Sequence, residues 1–238
     1  MAVENPQDYR EMTREELYDL ASERDIEGRS QLSKDGLIDA LEREDIGPEA
    51  TRLLESHHDQ IRRLFDQFEQ LGPDASQRKQ EVVRELITTL VKHSEVEEQV
   101  FYPVVREELA DTDAEMDENL EEHHAAELLM SELDTMRPDA PRYDAKVKVL
   151  IENLTIHLDE EEQDLFPRVR EELSEERRRE IGSAMVKVWQ VAPTRPHPHS
   201  PQTPPGNLIT GLPATVVDLG VGVVRTATRT ATRLVRRG

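Results

Sequence analysis

The sequence predicts an all-α protein whose central part is an up-down-up-down four-helix bundle. A small helix-extended-helix module is predicted before the bundle, and a mostly disordered tail after it. The composition favours helices, because Glu, Leu, Arg and Val are frequent and aromatic residues make up only 4% of the chain. Four long amphipathic segments follow one another with short breaks between them, as in antiparallel bundles. Two of these segments also repeat each other closely, which indicates pseudo-symmetry within the bundle.

The bundle helices are predicted from the residues that interrupt the amphipathic pattern. The interruptions are Gly72 with Pro73, the Asp-Thr-Asp turn at 111–113, and the RPDAP stretch at 137–141. The predicted helices cover residues 48–71, 75–110, 113–136 and 142–173, and a shorter fifth helix begins at Ser174. Short links make consecutive helices antiparallel, so the bundle domain is expected to span residues 48–191.

Residues 1–46 are predicted to form a separate module of two short helices joined by an extended piece. Thr13 and Glu16 have the spacing of a capping box before the first helix, and Ser33 can cap the second. The stretch MTREELYDLASERDIEGRSQLSKDGLIDAL resembles the N-terminal domain of the Rho termination factor and its SAP-like relatives. That resemblance implies a fold often associated with nucleic acid. Because the module has a net charge of −8, a small docking or spacer module is the alternative interpretation.

The residues after the bundle are predicted to form a linker and a basic tail. Residues 192–206 contain six prolines and therefore form a solvated linker. In residues 207–238, apolar side chains alternate with arginines that recur every four residues. This spacing fits a basic amphipathic helix that binds a membrane surface or a protein. Glycines and β-branched residues weaken such a helix and favour a mostly disordered tail.

The charge and the absence of cysteine exclude several classes of function. The chain has a net charge of −21, and residues 47–191 carry −18 of it, so the bundle repels phosphate backbones. Without cysteine there is no disulfide and no thiolate, and any metal must be held by His, Asp, Glu or water. No apolar targeting segment opens the chain and no run of 18 apolar residues occurs, so a cytoplasmic protein is expected.

The internal repeat contains the residues with the strongest chemical signal. Residues 154–173 (LTIHLDEEEQDLFPRVREEL) nearly copy residues 90–109 (LVKHSEVEEQVFYPVVREEL), with eleven of twenty positions identical. Both copies carry His-x-x-x-Glu, in the pairs His93 with Glu97 and His157 with Glu161. Residues four apart lie on one face of a helix, about 6 Å apart along the axis. Each copy therefore aims an imidazole and a carboxylate at one point.

These His and Glu side chains are expected to face the bundle core, because they lie on the apolar seams of their helices. The seam of the second helix runs through Leu86, Leu90, His93, Glu97, Val100 and Val104. A buried, unpaired carboxylate costs on the order of several kcal/mol, and a cation would offset that cost in both copies. Two His–Glu hydrogen bonds inside the core are the alternative interpretation.

Helices one and three each offer a His-His pair to complete the site. The apolar seams favour His58 and His123 as the inward residues, whereas His57 and His124 are expected to orient ligands or to lie at the surface. The predicted ligand set is His58, His93, Glu97, His123, His157 and Glu161. Four imidazoles and two carboxylates suit two metal ions that share the glutamates. Such donors allow Fe, Mn or Zn, and carboxylate-bridged pairs in four-helix bundles are typically di-iron or di-manganese.

Residues 50–173 resemble a hemerythrin-like HHE cation-binding domain. The matching motifs are SHHDQ, HSEVEEQVFYP, EEHHAAE and HLDEEEQDLFP, in the order of the family pattern. The resemblance implies a non-haem centre of two iron ions, often bridged by an oxygen species such as an oxo group, with Mn or Zn as less favoured metals. It also implies a centre that binds or reacts with dioxygen, peroxide or nitric oxide.

Two residues near the predicted ligands have open roles. The oxygen-carrying hemerythrins place a second His four residues after the His of helix three, whereas this chain has Glu127 there. Glu127 is a metal ligand, a partner of a ligand or a solvated acid. Tyr102, at the end of the helix-two motif, is a packing residue or a redox-active or hydrogen-bonding residue close to the metals.

The sequence thus predicts a non-haem di-iron protein that takes part in oxidant sensing, protection against oxidative stress or iron handling. The missing fifth His disfavours a simple oxygen carrier, and no substrate-pocket motif decides whether the protein is an enzyme. The alternative function is an interaction protein. In that case the N-terminal module or the basic tail binds nucleic acid, protein or membrane, and the metal bundle serves as a scaffold.

Overall fold

The computed structural model of the chain describes residues 9–23, 26 and 28–198, without the side chains of residues 43–46. All regular elements in these ranges are helical, which confirms the all-α class. The chain divides into two units between Pro48 and Glu49. No helix in these ranges is long and apolar enough to cross a membrane. The predicted tail at 207–238 lies outside the described residues.

The first unit contains α1 (Arg14–Glu23) and α2 (Lys34–Ile46). The capping box is present, since the Thr13 backbone N–H donates to Glu16 Oε2 at 2.8 Å and the Glu16 N–H donates to Thr13 Oγ1 at 3.3 Å. Ser33 Oγ accepts from the Gly36 N–H at 3.1 Å. The buried core of this unit consists of Tyr9, Leu17, Ala21, Leu37, Ile38 and Leu41.

The connection between α1 and α2 differs from the extended piece that the sequence predicts. It contains a short 3₁₀ turn, Arg29–Gln31, which follows Gly28. Gly28 has a φ of 68°, in the left-handed region that glycine enters without steric cost. The Leu32 side chain then packs against the core of the unit.

The described part of the second unit, residues 49–198, contains seven further α-helices. They are α3 (Ala50–Glu69), α4 (Ser76–Val96), α5 (Tyr102–Glu108), α6 (Asp113–Thr135), α7 (Tyr143–Glu160), α8 (Phe166–Glu172) and α9 (Glu175–Val191). Helix α3 packs on α4, α4 on α6, α6 on α7 and α7 on α3, which is the neighbour order of an up-down-up-down bundle. Helix α9, capped by Ser174, packs outside this ring against α3 and α4.

Two π-helical turns join α4 to α5 and α7 to α8, at Glu97–Phe101 and Glu161–Leu165. Continuous helices were predicted there. In each turn a backbone N–H reaches five residues back, from Tyr102 to the Glu97 carbonyl and from Phe166 to the Glu161 carbonyl. A proline follows directly in both copies, and inside a regular helix its ring collides with the carbonyl four residues back. The wider π turn accommodates the proline. A proline within each predicted helix was therefore the feature of the sequence that indicated a departure from regular helix geometry.

The bundle core consists of two apolar clusters with a polar layer between them. One cluster includes Leu54, Val96, Phe101, Met116 and Phe166, and the other includes Ile61, Leu90, Ala126, Leu154 and Leu158. On α3, α4 and α6 the predicted ligand histidine lies between residues of the two clusters, and His157 on α7 lies between Leu154 of one cluster and Leu165, beyond the helix, of the other. Apolar side chains therefore enclose the polar layer on both sides along the bundle axis.

The first residues of the predicted linker contact the bundle, although a fully solvated linker was expected. Thr88 Oγ1 donates to the Thr194 carbonyl at 3.4 Å, and the backbone N–H of His197 donates to Glu127. The side chain of His197 is exposed. The rest of the linker, from residue 199, lies outside the described residues.

Candidate metal centre

The structure brings the six side chains predicted as ligands together in the polar layer. Each is 4% exposed or less: His58 on α3, His93 on α4, His123 on α6, His157 on α7, and Glu97 and Glu161 at the starts of the π turns. Their donor atoms form two overlapping groups, in each of which all atoms lie within 4.8 Å of one another. Position 1 consists of His58, His93, Glu97 and Glu161, and position 2 consists of Glu97, His123 and His157.

The two glutamates lie between the positions. Glu97 Oε2 is 3.2 Å from His93 Nε2 and 3.5 Å from His123 Nε2. Glu161 Oε2 is 3.4 Å from His58 Nε2 and 3.8 Å from His157 Nε2. Each carboxylate thus approaches one imidazole of each position. This is the arrangement in which a glutamate can bridge two cations.

The buried polar atoms of the layer show that the residues fit metal ions. Nε2 of His58, Nε2 of His93, both oxygens of Glu97 and Oε2 of Glu161 are buried without a hydrogen-bond partner. Leaving such atoms unpaired is costly, on the order of 1–3 kcal/mol for each group. Because these atoms converge on shared points, cations at the two positions would satisfy them together.

The two glutamates have opposite protonation tendencies. Burial and the neighbouring Glu161 raise the pKa of Glu97 well above its usual range. Burial also acts to raise the pKa of Glu161, but His157 and His58 outweigh it and lower that pKa to about 2. Two carboxylates this close do not readily ionise together, and the raised pKa of Glu97 favours its protonated form. A cation between them reverses this preference.

Metal binding is expected to release a proton from Glu97, with an affinity that rises with pH. The metal-free chain holds this proton because the pKa of Glu97 is raised, whereas Glu161 is already ionised at neutral pH. Calorimetric titration with Zn²⁺ at one pH, in buffers of different ionisation enthalpy, measures the released protons. Equal binding enthalpies in all buffers would contradict the expectation.

Three carboxylates orient the imidazoles from outside the layer. Nδ1 of His58 lies 2.8 Å from Glu162 Oε1, Nδ1 of His123 lies 3.0 Å from Glu98 Oε1, and Nδ1 of His157 lies 2.8 Å from Glu122 Oε2. A carboxylate on Nδ1 turns Nε2 towards the metal and raises its basicity. Sequence reasoning missed these three glutamates. The repeat carried a signal for two of them, because a Glu follows the predicted ligand Glu in both copies.

Tyr102 hydrogen-bonds a predicted ligand in addition to packing in the core. Its hydroxyl donates to Glu161 Oε1 at 2.9 Å, and its ring stacks against that of His123 with 5.7 Å between centroids. One oxygen of Glu161 is therefore held by Tyr102 while the other faces the imidazoles. Phe166 occupies the equivalent place in the other copy and stacks on His58 at 5.5 Å.

The remaining His of each His-His pair, His57 on α3 and His124 on α6, lies outside both positions. His57 is buried, and its ring stacks on Trp189 of α9 with 4.0 Å between centroids. Burial, together with His58 and Lys92, lowers the pKa of His57 to about 4, so its ring is neutral at physiological pH. His124 is partly exposed and belongs to neither group of donor atoms.

Glu127 lies in a surface pocket beside position 2. The pocket is small, with a volume of about 30 Å³, and is lined by Val91, Ser94, Glu95, Glu98, His123, Glu127 and Met130. Burial and the neighbouring Glu98 raise the pKa of Glu95 to about 7. Glu127 itself is outside both groups of donor atoms and accepts the His197 backbone N–H. The pocket reaches the outer side of His123.

Together, the fold and the site define a helical-bundle protein with a buried cation site made of histidine and glutamate. The chain belongs to the hemerythrin family, because residues 49–169 match the hemerythrin HHE cation binding domain. The matched region begins after the N-terminal module. The resemblance of that module to the Rho N-terminal domain stays a prediction.

Two relatives match part of the chain. An uncharacterised hemerythrin-like protein from Schizosaccharomyces pombe is 30% identical over 135 residues, which is 56% of this chain and 66% of that protein. A protein named DNA nickase from Nostoc sp. is 28% identical over 137 residues, which is 56% of this chain and 38% of that protein. The matches therefore cover less than two thirds of each relative. No solved structure matches the chain significantly.

Proposed function

We propose that the bundle binds two iron ions, one at each position, and that the di-iron centre binds or reacts with dioxygen, peroxide or nitric oxide. The observation that supports this most is the pseudo-symmetric convergence of four imidazoles on two buried glutamates. Glu97 and Glu161 each approach imidazoles of both positions, as expected for carboxylates shared by two ions. Carboxylate-bridged iron pairs are a recurrent solution in four-helix bundles.

The protein's own residues prepare this centre for small oxidants. When bound, the iron pair supplies the electrons for binding or reducing them. Tyr102 holds Glu161 by its hydroxyl, and the two apolar clusters keep bulk water away from the polar layer. The pocket beside His123 provides a route from the surface to the edge of position 2.

Within this proposal, sensing, protection against oxidants and iron handling fit the site better than oxygen carriage. Glu127 stands where the oxygen carriers have a further His, and it lies outside both groups of donor atoms. Position 2 then has two imidazoles and the shared Glu97. An ion held there would have room to bind water or an oxidant as well.

Metal analysis combined with optical spectroscopy tests the proposal. Protein produced in iron-rich medium and purified under nitrogen is expected to contain about two irons per chain. On exposure to air, a ligand-to-metal charge-transfer band is expected in the near ultraviolet. No more than trace iron after reconstitution with ferrous iron would overturn the proposal, and two irons without any spectral response to air, peroxide or nitric oxide would overturn its second part.

The interaction role of the flanking segments stays a prediction. The N-terminal module has a net charge of −8, which disfavours binding to a phosphate backbone. Salt-dependent binding to nucleic acid or to anionic vesicles that disappears on deletion of residues 1–46 or 207–238 would support this role. Absence of binding at low salt would exclude it.

A further inference from the structure

We propose that the two positions bind metal with unequal affinity, and that His57 is the residue responsible. Position 2 fills first and holds its ion tightly, whereas position 1 takes a weaker, exchangeable ion. This inference rests on the proposed function and adds an order of loading to it.

The internal symmetry of the bundle shows where the two positions differ. When helix α3 is aligned on α6 with His58 opposite His123, His57 falls opposite Glu122. Glu122 lies 2.8 Å from Nδ1 of His157. His57 instead meets the ring of His93 edge-on at 5.8 Å between centroids, and Nδ1 of His93 is buried without a hydrogen-bond partner. The His57 imidazole thus stands beside position 1, whereas the Glu122 carboxylate stands beside position 2.

This difference matters because an anionic partner strengthens an imidazole as a metal ligand. Removing such a partner typically lowers metal affinity about 10- to 100-fold. In position 2 both imidazoles have a carboxylate, Glu98 for His123 and Glu122 for His157. In position 1 only His58 has one, Glu162.

The charges around the two positions act in the same direction. Glu162 also accepts from Arg62 Nη1 at 2.6 Å, so part of its negative charge is neutralised. Lys92 Nζ lies 4.8 Å from the Trp189 ring that covers His57, which adds a second cation on the side of position 1. On the side of position 2 the pocket carries Glu95, Glu98 and Glu127. Apart from the ligands themselves, the groups around position 2 are therefore more negative than those around position 1.

Anaerobic titration of the metal-free full-length chain with Co²⁺ tests the order of loading. The visible absorption and the heat of binding are expected to show two steps, with dissociation constants about 10- to 100-fold apart. Trp189 is the single tryptophan of the chain and stacks on His57. The larger share of its fluorescence quenching should therefore accompany the second, weaker equivalent.

Two substitutions are designed to remove the difference between the positions, one by adding a carboxylate beside position 1 and the other by removing the carboxylate beside position 2. His57→Glu supplies the missing carboxylate and is expected to tighten the second step about 10-fold or more. Glu122→His removes the carboxylate of position 2 and is expected to weaken the first step until the two steps merge. Glu122 is partly exposed, so this variant decides the question if His57→Glu fails to fold. Glu121→Gln removes an exposed charge one residue away and should leave both steps unchanged.

The outcomes separate this inference from the proposed function. Two equal steps in the natural chain, or two unequal steps that survive Glu122→His, would overturn the unequal loading while leaving a two-metal centre in place. Failure to bind any Co²⁺ or Fe²⁺ would instead overturn the proposed function. Weakening of the first step by Glu121→Gln would assign the effect to general charge rather than to the Nδ1 partner.

Discussion

Replacing Glu97 with glutamine is expected to abolish tight metal binding and, at the same time, to stabilise the metal-free chain. Both oxygens of Glu97 are buried without a hydrogen-bond partner, and burial and Glu161 raise its pKa well above the usual range. A carboxyl whose pKa is raised on folding costs stability at every pH above its unfolded value. Glutamine removes that cost, but it cannot bridge two cations as an anion does.

Glu161→Gln is the matched control, because it removes the other shared glutamate with the opposite effect on stability. The pKa of Glu161 is lowered to about 2 by His157 and His58 despite its burial. Its carboxylate therefore contributes stability that is present above pH 4.5 and is lost as the pH falls towards 2. Both variants should lose tight metal binding. Only Glu161→Gln should lower the melting temperature of the metal-free chain at pH 7.

Thermal unfolding of the metal-free variants measures this contrast. A change of about 1 kcal/mol in the free energy of unfolding shifts the melting temperature of a domain of this size by roughly 2–4 °C. We expect changes on the order of 1–3 kcal/mol, positive for Glu97→Gln and negative for Glu161→Gln. Equal destabilisation by both variants would show that the two carboxyls are held alike in the metal-free chain.

The second large effect is expected for the histidines of the repeat. His93 belongs to position 1 and His157 to position 2. Each single alanine variant should therefore reduce the iron content from about two ions per chain to about one, and the double variant should contain none. Removing a ligand deletes a bond to the metal and leaves the remaining polar atoms of that position unpaired. The loss of metal affinity is therefore expected to be larger than the loss caused by removing a carboxylate that only hydrogen-bonds a ligand.

Metal analysis after reconstitution under nitrogen measures this series. His124→Ala is the control, because His124 is partly exposed and belongs to neither group of donor atoms. It should retain two ions. Loss of both ions in either single variant would show that the positions fill only together, and full loading of the double variant would place the metals elsewhere.

Much of the bundle could be predicted because its signals are local. The interruptions at Gly72 with Pro73, at 111–113 and at 137–141 predicted the limits of the four long helices to within a few residues of those observed. The spacing of His93 and Glu97, and of His157 and Glu161, indicated a shared face, and the structure places all four side chains in one buried layer. Periodicity along a single helix is sufficient for predictions of this kind.

The π turns and the orienting carboxylates were missed because they depend on packing between helices. A proline within a helix indicates a local departure from regular geometry, but whether the helix kinks, ends or widens depends on its neighbours. Glu98 and Glu122 belong to polar stretches that a helical wheel places at the surface. Their contacts with His123 and His157 join residues 25 and 35 positions apart.

The sequence by itself determined the all-α class, the pseudo-symmetric repeat and the six residues that meet in the buried layer. Only the tertiary structure decided that Glu122 orients His157 while Nδ1 of His93, next to His57, has no hydrogen-bond partner. The two copies of the repeat carry the same His-x-x-x-Glu spacing, so the repeat indicates equal positions. The difference between the two positions comes from α3 and α6, which carry His57 and Glu122. The rotation of a neighbouring helix sets which of its residues reaches Nδ1 of an imidazole. This rotation follows from core packing.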